Sequence, residues 1–510
     1  MNHFDGLKRA APQERNTDPM AIVDLLDEIA RTGIEMHSLL VWHDGALIGE
    51  AYWAPYRADR LHMMHSVTKS FTSMAVGLAI SNGKLDPDGR VIDHFPEFRD
   101  LAADGIEAMR LRHLLTMTSG HGHGISGGAW RKLRSSWAAD FLARPLQYVP
   151  GEVFVYDSAC SYMLSAIVQR AVGQTIHDYL RQRVFDPLRM SRRLCWDLSP
   201  EGVNSGGNGL SCLTSDLLKL GVLHLQGGRW NGDQILDPDW VSAATSKQVR
   251  EVTLGVLTGE HYLGPGEEHG DAKPERRDGY GYQWWCGPND SYSATGLFGQ
   301  GCIVFPNERA VVAYTAGMDD NDRRFQTAIH ERLRPALGQW RGFSLPPRLA
   351  SLELRPAPPA NRLRAPADWE GRYRMQSNDQ GIVSVSIERE GDNIVFLQED
   401  HRGTHRVLAG LGHRAESVTT MTGARLHHSY EADDGFTVAA WASWGKGSPE
   451  GWMRLSFDWV FVETAFRDTV HCYLRDGELR MHRQVNVNSS ELSLPALHGL
   501  RDGARREAAS

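Results

Sequence analysis

The order of strand and helix signals over the first 340 or so residues limits the fold more than any other feature of this chain. A hairpin comes first: the run HSLLVW (37–42), a turn at Asp44-Gly45, and the run ALIGEAYW (46–53). Asp-Gly between two apolar runs favours the tight connection of antiparallel strands. A helix-rich stretch follows, and strand signals return only near residue 280, in GYGYQWW, SYSATG, GCIVF and AVVAYTAG. Helices inserted between early and late strands predict an α+β layout, an antiparallel sheet flanked by helices, and not alternating βαβ units. Asp18-Pro19 ahead of Ile22, Val23, Leu26, Ile29 and Ala30 predicts a capped helix that stops at Gly33. Phe325 to Leu337 predicts a returning helix.

A second constraint is the proline-rich run LPPRLASLELRPAPPANRLRAP, from Leu345 to Pro366, which reads as an extended linker. Beyond it WEGRYRM, GIVSVSIE, NIVFLQE, FTVAAWASW, RLSFDWVFVE, DTVHCYLRD and ELRMHRQV are short, mostly alternating strands. Seven or eight of these predict a small β-barrel or sandwich. The expected organisation is a first domain over 1–344, the linker over 345–366, and an all-β barrel domain over 367–510.

Composition excludes several function classes. A formal charge of −8 over 510 residues opposes a dedicated nucleic-acid binder, because neutralising phosphates needs a basic field. No apolar stretch approaches the roughly 18 residues that would span a bilayer, so no membrane partner is expected. The six cysteines form no CxxC pair and read as reduced thiols. The polar start MNHFDGLKRAAPQERNTDPM lacks the apolar region of a secretory signal, which predicts a cytoplasmic protein.

The strongest chemical signal is HSVTKS, His65 to Ser70. Ser66 and Lys69 are three apart at a helix start, so both side chains lie on one face. A serine hydroxyl becomes a nucleophile when a base takes its proton. A lysine does this when burial disfavours its ammonium form. The bland alternative is an N-cap serine with a solvated lysine, and the spacing alone is common: Ser443-Trp444-Gly445-Lys446 repeats it in what reads as a glycine-containing turn. Gly124-Ile125-Ser126-Gly127-Gly128 fits the G-x-S-x-G elbow, but a loop, TSGHGHG, stands where that elbow needs a strand. His121 and His123 in this loop lack a third ligand at recognisable spacing, so no metal is expected.

Five segments occur in order: HSVTKSFTSMAVGLAISNGKL, RHLLTMTSG, PGEVFVYDSACSYML, GNGLSCLTSDLLKLGVLHLQGG and SATGLFGQGCIVFPNERAVVAY. Together, over roughly residues 20–340, they resemble the serine β-lactamase and penicillin-binding-protein superfamily, in particular its class C-like branch of esterases, amidases and D-amino-acid peptidases. The resemblance implies a Ser66 acyl-enzyme with Lys69 as proton acceptor and Tyr156 as proton shuttle to the leaving group. It implies no metal or organic cofactor, and a small-molecule or peptide ester or amide as substrate. The family's Y-x-N asparagine is Ser158 here, and its third element, usually Lys-Thr-Gly or His-x-Gly, aligns with Ala294-Thr295-Gly296. Without that cation a substrate carboxylate loses its usual partner, which favours a neutral ester or internal amide. The backbone near Leu297 is the candidate second oxyanion donor, and Gln300 a candidate lining residue. The C-terminal strands resemble the lipocalin-like barrels appended to enzymes of this branch. Rival readings are a D-amino-acid amidase or peptidase, a peptide cyclase or transacylase, a β-lactamase, and a non-catalytic ligand-binding protein on the same fold.

Overall fold

The structure is a computed structural model. It describes residues 5–125, 130, 132–258, 261–268, 275–319, 322–340, 352–358, 365, 369–421, 424–428, 430, 435–447 and 450–503. Ser126 of the G-x-S-x-G match and most of the 345–366 run lie outside the described residues.

Local signals become elements for the expected reasons. The Asp18 carboxylate accepts from the backbone N–H of Met20, Pro19 opens the Pro19–Thr32 helix, and Gly33 closes it in the left-handed region at φ 68°. Strands Met36–His43 and Ala46–Tyr52 pair antiparallel around Asp44 and Gly45, both at positive φ. These two join an eight-stranded antiparallel sheet in the order 46–52, 36–43, 310–316, 300–305, 292–296, 285–286, 275–280, 249–254. The chain leaves this sheet after the hairpin, returns at its opposite edge with Val249–Leu254 and works back to Ala310–Ala316 beside the hairpin, so the helical region is one insertion. The helix Thr68–Ser81 is buried at twelve of its fourteen positions, as befits a helix enclosed on all sides. It packs along the helix Ser158–Val172, which is buried at eleven of its fifteen positions. The returning segment is a short helix, Arg324–Ala328, continued by a π turn over Ile329–Leu333 and a 3-10 turn over Arg334–Ala336.

The chain divides into two compact units, Met1–Leu352 and Glu353–Ser510. On the first side, the Leu352 carbonyl accepts from Ala54 N–H at 3.2 Å. On the second, Arg414 binds the Glu353 carboxylate at 2.6 Å. The second unit is a ten-stranded sheet that closes into a barrel when Phe436–Lys446 pairs back onto Gly403–Leu411. Its interior is packed with Phe396, Phe457, Trp459, Val470 and Cys472, and holds Asp468 bound by His427 and Arg483, each at 2.7 Å. Three of its strands, Gly403–Leu411, Ala415–Thr419 and Leu497–Arg501, go beyond the seven sequence runs read as strands. The second SxxK match is a correction: Ser443 to Lys446 is strand, not turn.

Candidate active site

The short strand His62–Met63 leads into a 3-10 turn, His65–Val67, and then into the helix Thr68–Ser81. His65 sits at φ 46°, a conformation a non-glycine residue adopts only where its surroundings impose it. The surroundings are the strand Tyr292–Gly296: a Cβ on Gly296 would lie 2.3 Å from the Met64 carbonyl and 3.2 Å from Ser66 N. Only a glycine lets this strand approach the serine backbone so closely.

Lys69 is 1% exposed. Its Nζ lies 3.0 Å from Ser66 Oγ, 3.1 Å from Ser158 Oγ and 2.8 Å from the Gly207 carbonyl. Three acceptors match the three donors of an ammonium group. Burial nevertheless disfavours the charge and pulls the lysine from its ordinary 10.5 down to about 7, partly opposed by the negative charge of Asp157. Tyr156 comes to the same place, with its ring centre 4.8 Å from Lys69 Nζ. The phenol ring stacks on Trp285 at 5.2 Å and meets the edge of Tyr262 at 5.0 Å.

The structure therefore brings Ser66, Tyr156 and Ser158 together around the Lys69 amine, with Gly296 against the Ser66 backbone. Thr295 lies on the same strand, whose outer pairing stops at Ser293 and leaves an edge that a substrate backbone can follow. Leu297 belongs to the turn after it, and Gln300 opens the strand Gln300–Phe305. The Gln300 amide is engaged within that turn and with the next strand, donating to the Leu297 carbonyl at 2.7 Å and accepting from Ala316 N–H at 3.3 Å. His121 pairs with Ser119 at 3.1 Å, and the His123 ring lies 4.8 Å from that of His261. Among the described residues no group of three potential ligands could hold a metal, and no helix is long and apolar enough to cross a membrane.

Three participants were not legible in the sequence. The Gly207 carbonyl is a backbone group, and its only trace is the pair Gly206-Gly207; a Cβ at Gly207 would lie 2.6 Å from the Ser158 carbonyl. Asp157 is fully buried between two expected site residues. Arg277, from the strand Glu275–Tyr280, extends its guanidinium to within 3.5 Å of Thr295 Oγ1 and lies 3.9 Å over the Trp285 ring. It borders a cavity of about 210 Å³ that Glu275, Trp285, Thr295 and Arg323 also line. Glu275 binds Arg277 at 2.9 Å and also contacts Arg323, so two guanidinium groups share one carboxylate.

The chain is 26% identical over 303 residues to 6-aminohexanoate-dimer hydrolase of Paenarthrobacter ureafaciens, spanning 56% of this chain and 74% of that one. Against esterase EstB of Burkholderia gladioli it is 34% identical over 163 residues, 29% of this chain and 41% of the esterase. A solved protein of Bacteroides dorei, described as a candidate β-lactamase, superposes with a TM-score of 0.50 at 17% identity, over 62% of this chain and 99% of that one, and shares the fold. The sequence model of the β-lactamase family matches residues 22–334, most of the first compact unit, and the chain belongs to that family.

Proposed function

We propose that this protein is a serine hydrolase that cleaves a carboxylic ester or amide through an acyl-enzyme on Ser66. The observation that carries the reading is the contact of Lys69 Nζ with Ser66 Oγ at 3.0 Å by a lysine whose burial brings it to about 7. A neutral amine has two N–H donors and one lone pair. With the donors directed to the Gly207 carbonyl and Ser158 Oγ, the lone pair is left for the Ser66 hydroxyl proton. Ser66 Oγ then attacks the carbonyl carbon, and the oxyanion is stabilised by Ser66 N–H together with the backbone near Leu297. Tyr156 gives its phenol proton to the departing alcohol or amine, and the phenolate so formed takes from Lys69 the proton that came from Ser66. Water, activated by the same groups, releases the acid. The hydrolase and esterase names of the relatives support this reaction class.

Arg277 favours one refinement. The cation missing at Ala294 has a counterpart in Arg277 of the strand Glu275–Tyr280, beside Thr295 and a cavity. A substrate with a carboxylate beyond the scissile bond fits that arrangement. One relative is named as a hydrolase of a 6-aminohexanoate dimer.

The test is covalent labelling with a fluorophosphonate, followed by peptide mapping. Label on Ser66 supports the acyl-enzyme; label elsewhere, or none, refutes it. A panel of p-nitrophenyl esters, D-amino-acid amides, ω-amino-acid dimers and a chromogenic cephalosporin then separates the substrate classes.

A further inference from the structure

Asp157 stands between Tyr156 and Ser158 and has no part in the mechanism above. Its carboxyl caps the helix Ser158–Val172: Oδ1 accepts from Ala159 N–H at 2.8 Å and from Ile125 N–H at 3.0 Å. One oxygen atom thus ties the start of this helix to the short strand Gly124–Ile125. That strand lies so close to Tyr156 that a Cβ on Gly124 would fall 1.7 Å from the Tyr156 carbonyl. It pairs with His261–Tyr262, and the Tyr262 ring meets Tyr156 edge-on. The second oxygen, Oδ2, faces Cys160 Sγ at 3.8 Å.

A carboxyl group withdrawn from water in this way needs a compensating charge. The charged and titratable groups around it are Lys69 from the nucleophile helix, Arg144 beyond the helix Trp137–Ala143, and Cys160 from its own helix. The Tyr156 and Tyr280 phenols complete the surroundings of Lys69 and Cys160. Burial pushes Asp157 up to about 6, opposed by its two backbone donors, Arg144 and Lys69.

We infer that Asp157 is a positioning residue of the proposed hydrolase: it clamps the junction that presents Tyr156 and Ser158, and it sets a negative charge within Coulombic reach of Lys69. The inference rests on reading Ser66 and Lys69 as nucleophile and base. As Asp157 favours the ammonium form, its charge opposes deprotonation of the base and thereby fixes the pH at which the enzyme becomes active.

Asp157→Asn separates the two roles. Both backbone N–H groups go to Oδ1, which an asparagine carbonyl reproduces, while the charge is removed. In kcat/KM against p-nitrophenyl acetate, the acid limb of Asp157→Asn is expected about one pH unit lower than the parent's, with the plateau within about threefold. Asp157→Ala loses the clamp as well, and its plateau should fall by about tenfold or more. An Asp157→Asn profile that superimposes on the parent's, or moves to higher pH, overturns the inference. So does an inactive Asp157→Asn with an unchanged Tm, which would make Asp157 a proton acceptor. If that variant does not fold, the parent decides. Asp157 takes up a proton close to where Lys69 does, so the limb should fall less steeply than unit slope below pH 7; a full unit slope overturns the coupling. Fluorophosphonate labelling of the parent, run on the same preparation, separates the two levels. An unlabelled parent sinks the hydrolase reading and this inference with it, whereas a labelled parent with an unmoved profile sinks the inference alone.

Discussion

Ser66-Val67-Thr68-Lys69 and Ser443-Trp444-Gly445-Lys446 carry the same spacing of serine and lysine, and the fold makes opposite use of them. The first lies at the start of a helix, where positions three apart share a face, and its amine and hydroxyl meet at 3.0 Å. The second lies within the strand Phe436–Lys446, where side chains alternate and positions three apart point to opposite faces. Ser443 stands across from Ser456, and Lys446 is exposed at the strand end across from Met453. A motif of this kind is therefore a spacing multiplied by a secondary-structure period. The surrounding burial, which the first copy has and the second lacks, disfavours the charge of its lysine.

The largest expected effect breaks the pair apart directly. Ser66→Ala should abolish fluorophosphonate labelling and lower kcat/KM on the order of 10⁴-fold or more, while Ser443→Ala leaves both unchanged. Equal loss in the two variants would erase the distinction drawn between helix and strand.

The lysines should differ by less. Lys69→Ala is expected to lower kcat/KM by about 10²–10⁴-fold, and Lys446→Ala by nothing measurable. The sign of the pH dependence follows from burial. Burial depresses Lys69 from 10.5 to about 7, and the proposed base is the neutral amine, so activity is expected to be lost as pH falls through about 7 and present above it. A kcat/KM that is flat from about pH 5 to about pH 9 would remove the lysine from the proton transfer.

What was legible in the sequence follows the same logic of range. The Ser66–Lys69 contact is local, so spacing and helix signals suffice for it. Tyr156 and Ser158 reach the amine across the helical insertion, and only the ordered motif set pointed to them. Gly207 contributes a carbonyl, which no side-chain pattern can announce. The absent cation at Ala294 was legible as an absence. Its counterpart Arg277 was not, because it stands on another strand and meets Thr295 only through the sheet's order. In the barrel, Gly403–Leu411 went unread because its inward set, His405, Val407 and Ala409, mixes polar, branched and small residues and shows little alternation.

Arg277 sharpens the comparison from the side of the substrate, since its guanidinium reaches Thr295, on the strand whose Gly296 abuts the Ser66 backbone. Arg277→Ala should raise KM by about tenfold for carboxylate-bearing esters or amides, about 1.4 kcal/mol, and leave uncharged p-nitrophenyl esters within about twofold. Equal effects on both substrate classes would assign the arginine to packing on Trp285 instead.

The smallest effect is expected from removing the unit that holds the second copy. The Leu352 carbonyl accepts from Ala54 N–H, so the first unit is best ended at that residue and not at the proline-rich boundary near 345. Glu353 and Leu354 bind Arg414 and go with the barrel. Every group assigned to the reaction lies between Ser66 and Leu297, and the sheet that supports them is complete by Ala316. The barrel has its own closed sheet and its own apolar interior. A unit with a core of its own can fold by itself. A protein truncated after Leu352 should therefore stay soluble and label at Ser66 at a rate within about threefold of the full chain. Comparing p-nitrophenyl esters of increasing acyl length on both proteins then shows whether the barrel affects the choice of substrate. An insoluble or unlabelled truncation would mean that the region carrying Ser443 contributes to the site after all, and the two copies could no longer be treated as independent.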